Sequence, residues 1–133
     1  MARRAASLGG TVVLDCEGLS RYLAGDARTA RIARAAKDCV ISVATMLEAA
    51  HAKVHRGRWN FVLSELRIEP FTVDLAEEAA ELLRDTGLSG HKHAIDAMVA
   101  ATAMRQPGPV VLLTSDVDDM SRLCDKRIEV VGL

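Results

Sequence analysis

Two short runs, TVVLD at 11–15 and VVLLT at 110–114, constrain this chain more than any other feature. Each is a block of β-branched and aliphatic residues with no polar alternation. A strand with one wet face alternates apolar and polar residues, whereas a strand covered on both faces is apolar throughout. The two runs therefore predict central strands beneath helices on both sides. CVIS (39–42) and IEVV (128–131) are further strand candidates. IEPFTV (68–73) reads as extended, with Pro70 confining it to a strand end or an edge.

Helical patterns fill the intervals. EGLSRYLAGD and ARTARIARAAKD place Leu19, Leu23, Ala30, Ile32 and Ala33 among charged residues, as one or two short amphipathic helices. Ser42 is expected to cap VATMLEAAHAKVHRG, in which Val43, Met46, Leu47, Ala50 and Val54 form one apolar stripe and Gly57 ends the helix. RWNFVLSELR reads as helix. Asp74 is expected to cap LAEEAAELLRDTG, which Gly87 ends, and a further helix runs from GHKHAIDAMVAATAM to about Gln106, where QPGP breaks it. DVDDMSRLCD gives a last short helix. Strands alternating with helices imply an α/β fold with a parallel sheet covered on both faces.

With 133 residues, half of them apolar, the chain suits one compact domain at 11–133 behind a flexible amino-terminal arm at 1–10. Only Tyr22, Trp59, Phe61 and Phe71 are aromatic, so aliphatic side chains must fill the core. With 17 basic against 18 acidic residues there is no strong overall field toward nucleic acid or membrane, and any nucleic-acid contact must be local. MARRAASLGG lacks the apolar segment of a signal peptide, and no apolar stretch is long enough to span a bilayer. Cys16, Cys39 and Cys124 are odd in number and lack metal-ligand spacing. This argues against a disulfide framework or a structural zinc site and fits a cytoplasmic protein.

The chemistry lies in the acids. Asp15 ends the first strand, Asp116 follows the fourth, Glu48 lies two turns into the helix after CVIS, and Asp96 is the lone carboxylate in an otherwise apolar helix from His93 to Met104. A helix apolar all round is expected to be buried, and a buried carboxylate requires a partner. In open α/β sheets, ligands gather at the carboxyl ends of the strands, where these acids would converge. Two carboxylates about 4 Å apart repel by about 4 kcal/mol at an effective dielectric of about 20, so such a cluster calls for a cation. Oxygen-only ligands favour Mg²⁺ or Mn²⁺, which suits phosphodiester hydrolysis.

VVLDCEGLSRYL, ISVATMLEAAHA, HAIDAMVAATA and LLTSDVDDMSRL resemble, in order, the four blocks of PIN-domain nucleases, and specifically VapC-type toxins of bacterial toxin–antitoxin pairs. The resemblance runs from Thr11 to Val131. It implies a three-layer α/β/α sandwich around a mostly parallel sheet of about five strands, with Asp15, Glu48, Asp96 and Asp116 as catalytic and metal-holding acids. Thr114 and Asp119 are supporting residues by the same similarity. It further implies Mg²⁺ or Mn²⁺ as cofactor, an RNA substrate, a cognate antitoxin and a homodimer. Cys16 and Glu17 stand where the family more often has small or hydroxyl residues.

Each acid also has a plainer reading. Asp15 and Asp116 suit helix caps, Asp119 a first-turn acid, and Glu48 a solvated side chain. His91, Lys92 and His93 read as a solvated helix start, and Arg21, Lys53, Arg56, Arg58 and Arg122 as solvated faces or phosphate contacts. Three other functions compete with the nuclease. A di-iron bundle could use Glu48, His51 and His55 on one helix flank. A haloacid-dehalogenase-like phosphatase requires a second Asp where Glu17 stands. A catalytically inactive PIN-like module would bind a protein partner.

Overall fold

The computed structural model of the chain describes residues 10–50 and 53–133. The expected strands form as β1 (Thr11–Leu14), β2 (Asp38–Ser42), β3 (Arg67–Glu69), β4 (Val110–Thr114) and β5 (Glu129–Gly132). Between them lie α1 (Cys16–Leu23), α2 (Ala27–Ala35), α3 (Val43–Ala49), α4 (Arg56–Ser64), α5 (Val73–Thr86), α6 (Gly90–Met104) and α7 (Val117–Cys124). The strands make one sheet in the order β3-β2-β1-β4-β5, and every pairing is parallel. Pro70 directly follows β3, which is an edge strand as expected.

The pleat divides the core in two. Val12, Leu14, Cys39, Ile41, Val111 and Leu113 meet Leu19 and Tyr22 of α1, Ala33 of α2, Ala49 of α3 and Val62 of α4. Val13, Val40, Val110 and Leu112 face the other way, against α5, α6 and the Met120 and Leu123 side chains of α7. Parallel connections are right-handed, so reversing the direction of travel across the sheet moves the connecting helix to the opposite face. β1 to β2 to β3 runs one way and β3 to β4 to β5 runs back. Hence α1–α4 cover one face and α5–α7 the other.

Several local expectations change. Thr72, not Asp74, caps α5, its Oγ1 accepting from Leu75 N at 3.2 Å, while Gly87 ends that helix with φ 71° as expected. Ser42 does cap α3, its Oγ accepting from Ala44 N at 3.1 Å. That helix stops at Ala49, however, and packs through Ala44, Thr45 and Ala49, whose small side chains allow close approach to its neighbours. Of the anticipated apolar stripe, Val43 and Leu47 therefore face out, 39% and 79% exposed, while Met46 packs half-buried against the core. Gly57 lies inside α4, which His55 caps through Nδ1 accepting from Arg58 N at 3.1 Å. Glu48 and His55 thus stand on different helices, which removes the di-iron geometry; His51 lies outside the described residues. The amino-terminal arm also lies outside them apart from Gly10, which is buried and accepts from Lys37 N at 3.0 Å. Among the described residues no helix is long and apolar enough to cross a membrane.

Leu113, wholly buried, and Leu47, on the outside, make a direct comparison. Leu113→Ala is expected to cost about 2–5 kcal/mol in chemical denaturation. Leu47→Ser should change stability by no more than about 0.5 kcal/mol.

Candidate active site

The strand order reverses between β1 and β4, and two acids emerge there. Asp15 leaves the end of β1 and caps α1, its Oδ1 accepting from Gly18 N at 2.8 Å. A Cβ at Gly18 would stand 3.2 Å from Leu14 Cβ and 3.4 Å from Asp15 Oδ1, a tight fit that its neighbours would have to relieve by a few tenths of an ångström. At the end of β4 the wholly buried Thr114 hydroxyl accepts from Asp116 N at 2.9 Å, and it lies close enough to Asp15 to help hold the pKa of that carboxyl down. A backbone bond from Asp15 N to Leu113 O at 3.3 Å joins the two strand ends. Asp116 caps α7, accepting from Asp119 N at 3.4 Å, so the capping readings of Asp15 and Asp116 hold alongside their convergence.

Asp96 enters from α6. Its helix is buried all round only from Val99 to Ala103, while Ala94 and Ile95 are exposed and the Asp96 side chain is 32% exposed. The carboxylate thus sits where the buried half of the helix meets the open edge, rather than inside a fully buried helix. His93, one turn earlier, is 8% exposed, with Nδ1 3.3 Å from Asp96 Oδ2 and 3.6 Å from Asp119 Oδ2. The solvated reading holds for His91 and Lys92 and fails for His93. Its spacing of three from Asp96 was the available signal, since such residues share a helix face.

Burial pushes the Asp15 carboxyl above its ordinary value, against the hydrogen bonds from Thr114, Gly18 and Ser115, and the charge of Asp96 pushes the same way. Burial likewise raises Asp96; its hydrogen bond with His93 opposes the shift, and the charges of Asp116 and Asp119 add to it. Glu48 is exposed on α3 beside Cys16. The Cys16 thiol is pushed up to about 11, first by burial and then by the charge of Glu48 and its hydrogen bond to that carboxylate. Glu17 instead pairs with Arg21 at 3.4 Å, so it supplies no second acid beside Asp15 of the kind the phosphatase requires.

Arg58 is committed to the fold, donating to Leu23 O at 3.2 Å and Tyr22 O at 3.0 Å. Arg122 donates to Thr86 O at 3.0 Å, and Arg56 is exposed at the start of α4.

The donor set fits a divalent cation. His93 Nδ1 and one oxygen each of Asp96 and Asp119 lie within 4.8 Å of one another, and Asp15 and Asp116 stand at the adjoining strand ends. One turn before Glu48 on α3, the buried Thr45 Oγ1 has no hydrogen-bond partner among the described residues. Crowded carboxylates and an orphaned hydroxyl are what a hydrated cation would satisfy.

An all-parallel sheet with acids meeting at its switch point defines a class of α/β proteins whose site suits a divalent cation and a charged ligand. The family model of the PIN domain matches residues 12–126, and the chain belongs to the PIN domain family. Among solved structures it is similar to a toxin-antitoxin complex from Klebsiella pneumoniae, with 23% identity and a TM-score of 0.69, covering 90% of this chain and 95% of that one. It is also similar to VapBC2 from Rickettsia felis bound to a DNA fragment from its promoter, with 15% identity and a TM-score of 0.69, covering 92% and 98% of the two chains. Comparison with curated protein sequences gave no match.

A carboxyl raised in the folded state favours folding when protonated and loses that contribution as pH rises through its folded value. In EDTA at pH 7, Asp96→Asn should therefore melt at or above the wild-type temperature. The difference should shrink as the pH falls toward about 4, where a carboxylate in the unfolded chain protonates. A large loss of stability at pH 7 would make Asp96 a structural acid.

Proposed function

We propose that this protein is a metal-dependent endoribonuclease of the VapC type, the toxin of a toxin–antitoxin pair. The reading rests on membership of the PIN domain family together with one observation: Asp15 and Asp116 leave the ends of adjacent parallel strands at the carboxyl edge where Asp96 and Asp119 also arrive. In this reading Asp15, Glu48, Asp96 and Asp116 hold Mg²⁺ or Mn²⁺. Thr114 keeps Asp15 and Asp116 in register, and Asp119 lends a further carboxylate. Bound there, the ion would neutralise charge on the phosphate oxygens and lower the pKa of an attacking water. The carboxylates orient that water for in-line attack on the RNA phosphodiester. Beside Glu48 the Cys16 thiol is held protonated, its pKa pushed up to about 11, so it is not an activated nucleophile. Hydrolysis therefore proceeds without a covalent intermediate.

Val43 and Leu47, turned outward on the helix that carries Glu48, support a protein partner at the mouth of the site, which in this reading is the antitoxin or a second copy of the chain. The same exposed pair is the specific observation favouring the second reading, an inactive PIN-like interaction module. The two differ in catalysis. In the nuclease reading the protein acts in the cytoplasm.

The deciding assay is cleavage of a long mixed-structure RNA with Mn²⁺ or Mg²⁺, against EDTA and against Asp96→Asn. The expected result is cutting that disappears in EDTA and falls by at least about 100-fold in the variant. Undiminished cutting in EDTA, or none with either metal, would sink the nuclease reading.

A further inference from the structure

Among the acids of the site stands one nitrogen. His93 is 8% exposed, so its imidazole is not a surface group that has drifted toward a carboxylate. The ring is fixed on α6 one turn before Asp96, and its Nδ1 lies 3.3 Å from Asp96 Oδ2 and 3.6 Å from Asp119 Oδ2. Those two carboxylates come from different helices, α6 and α7, and the imidazole nitrogen is aimed between them. The three donor atoms lie within 4.8 Å of one another, close enough to share one ion.

We propose that His93 Nδ1 is itself a ligand of the cation held here, together with Asp96 and Asp119, so that this protein has a mixed nitrogen–oxygen site that selects Mn²⁺ over Mg²⁺. The inference rests on the metal-dependent reading above and adds the identity of one ligand and the preference that follows from it. Mg²⁺ is a hard ion served by oxygen, whereas imidazole suits first-row transition ions. Ligation requires the neutral ring with its proton on Nε2, which frees the Nδ1 lone pair. The competing role for His93 is an outer hydrogen bond that orients Asp96 without touching the ion.

Pulsed EPR on the full chain loaded with Mn²⁺ separates the two roles, because a directly bound imidazole nitrogen modulates the electron spin echo of the ion. The wild-type protein should show nitrogen modulation that changes when its histidines are labelled with ¹⁵N. The modulation should vanish in His93→Asn, which leaves a polar side chain beside the carboxylates without an imidazole. In titrations with the metal alone, Mn²⁺ affinity should fall about tenfold or more in that variant, and Mg²⁺ affinity by a smaller factor. Mn²⁺ bound by wild type without nitrogen modulation, or modulation that persists in His93→Asn, would overturn the ligand assignment and leave the nuclease reading intact. No Mn²⁺ binding at all would overturn both. A wild-type spectrum without nitrogen modulation overturns the assignment even if the variant folds poorly.

Discussion

The parallel pairing of β1 with β4 brings two strand ends side by side at the point where this molecule's chemistry would occur. The wholly buried Thr114 ends β4, accepts from the backbone of Asp116 and helps hold down the pKa of the Asp15 carboxyl at the end of the neighbouring strand. That geometry exists because β1 and β4 lie side by side in parallel register, Leu14 opposite Leu113, with helices covering both faces. Parallel pairing sends both strands toward the same edge. Burial of both faces gives them the rigidity to hold two carboxylates close despite their repulsion.

The same arrangement is electrostatically unsatisfied. Asp15 and Asp96 are both raised by burial and by neighbouring negative charge, and the hydrogen bonds from Thr114, Gly18 and His93 relieve the strain only partly. A protein that needed these acids only as caps would gain by spacing them apart, because each cap works alone. Their convergence from β1, α6 and the end of β4, together with the orphaned Thr45 hydroxyl below Glu48, gives the edge the properties of a cation site. Fold and function meet in this conflict between local capping and collective repulsion.

Much of this was legible in the chain. Continuous apolar strands have one physical meaning, so TVVL and VVLLT were placed to within a residue and led to the switch point and to Asp15 and Asp116. Where the sequence misled, it was through helix faces. Val43 and Leu47 have helical spacing and read as core, yet α3 packs through Ala44, Thr45 and Ala49 with Met46 half-buried beside them, and leaves Val43 and Leu47 outside. Nothing in a local pattern reports that choice. His93 was hidden for the opposite reason: beside His91 and Lys92 it looked solvated, and only the packing of α6 against α7 reveals that it turns inward to Asp119. Glu48 falls between these cases, placed on the expected helix but exposed, beside a cysteine that no family pattern would have emphasised.

The central claim is that a divalent cation completes this acidic edge. Thermal melts of the full chain in EDTA and in increasing Mn²⁺ test it without any substrate. Binding to the folded state alone at about 100 times the dissociation constant contributes about 2.7 kcal/mol, of the order of 10 °C for a chain of this size. The account predicts such a rise for the wild type and its loss in the Asp15→Asn, Asp96→Asn double variant. A melting temperature unmoved by Mn²⁺ in the wild type, or moved equally in both proteins, would contradict it.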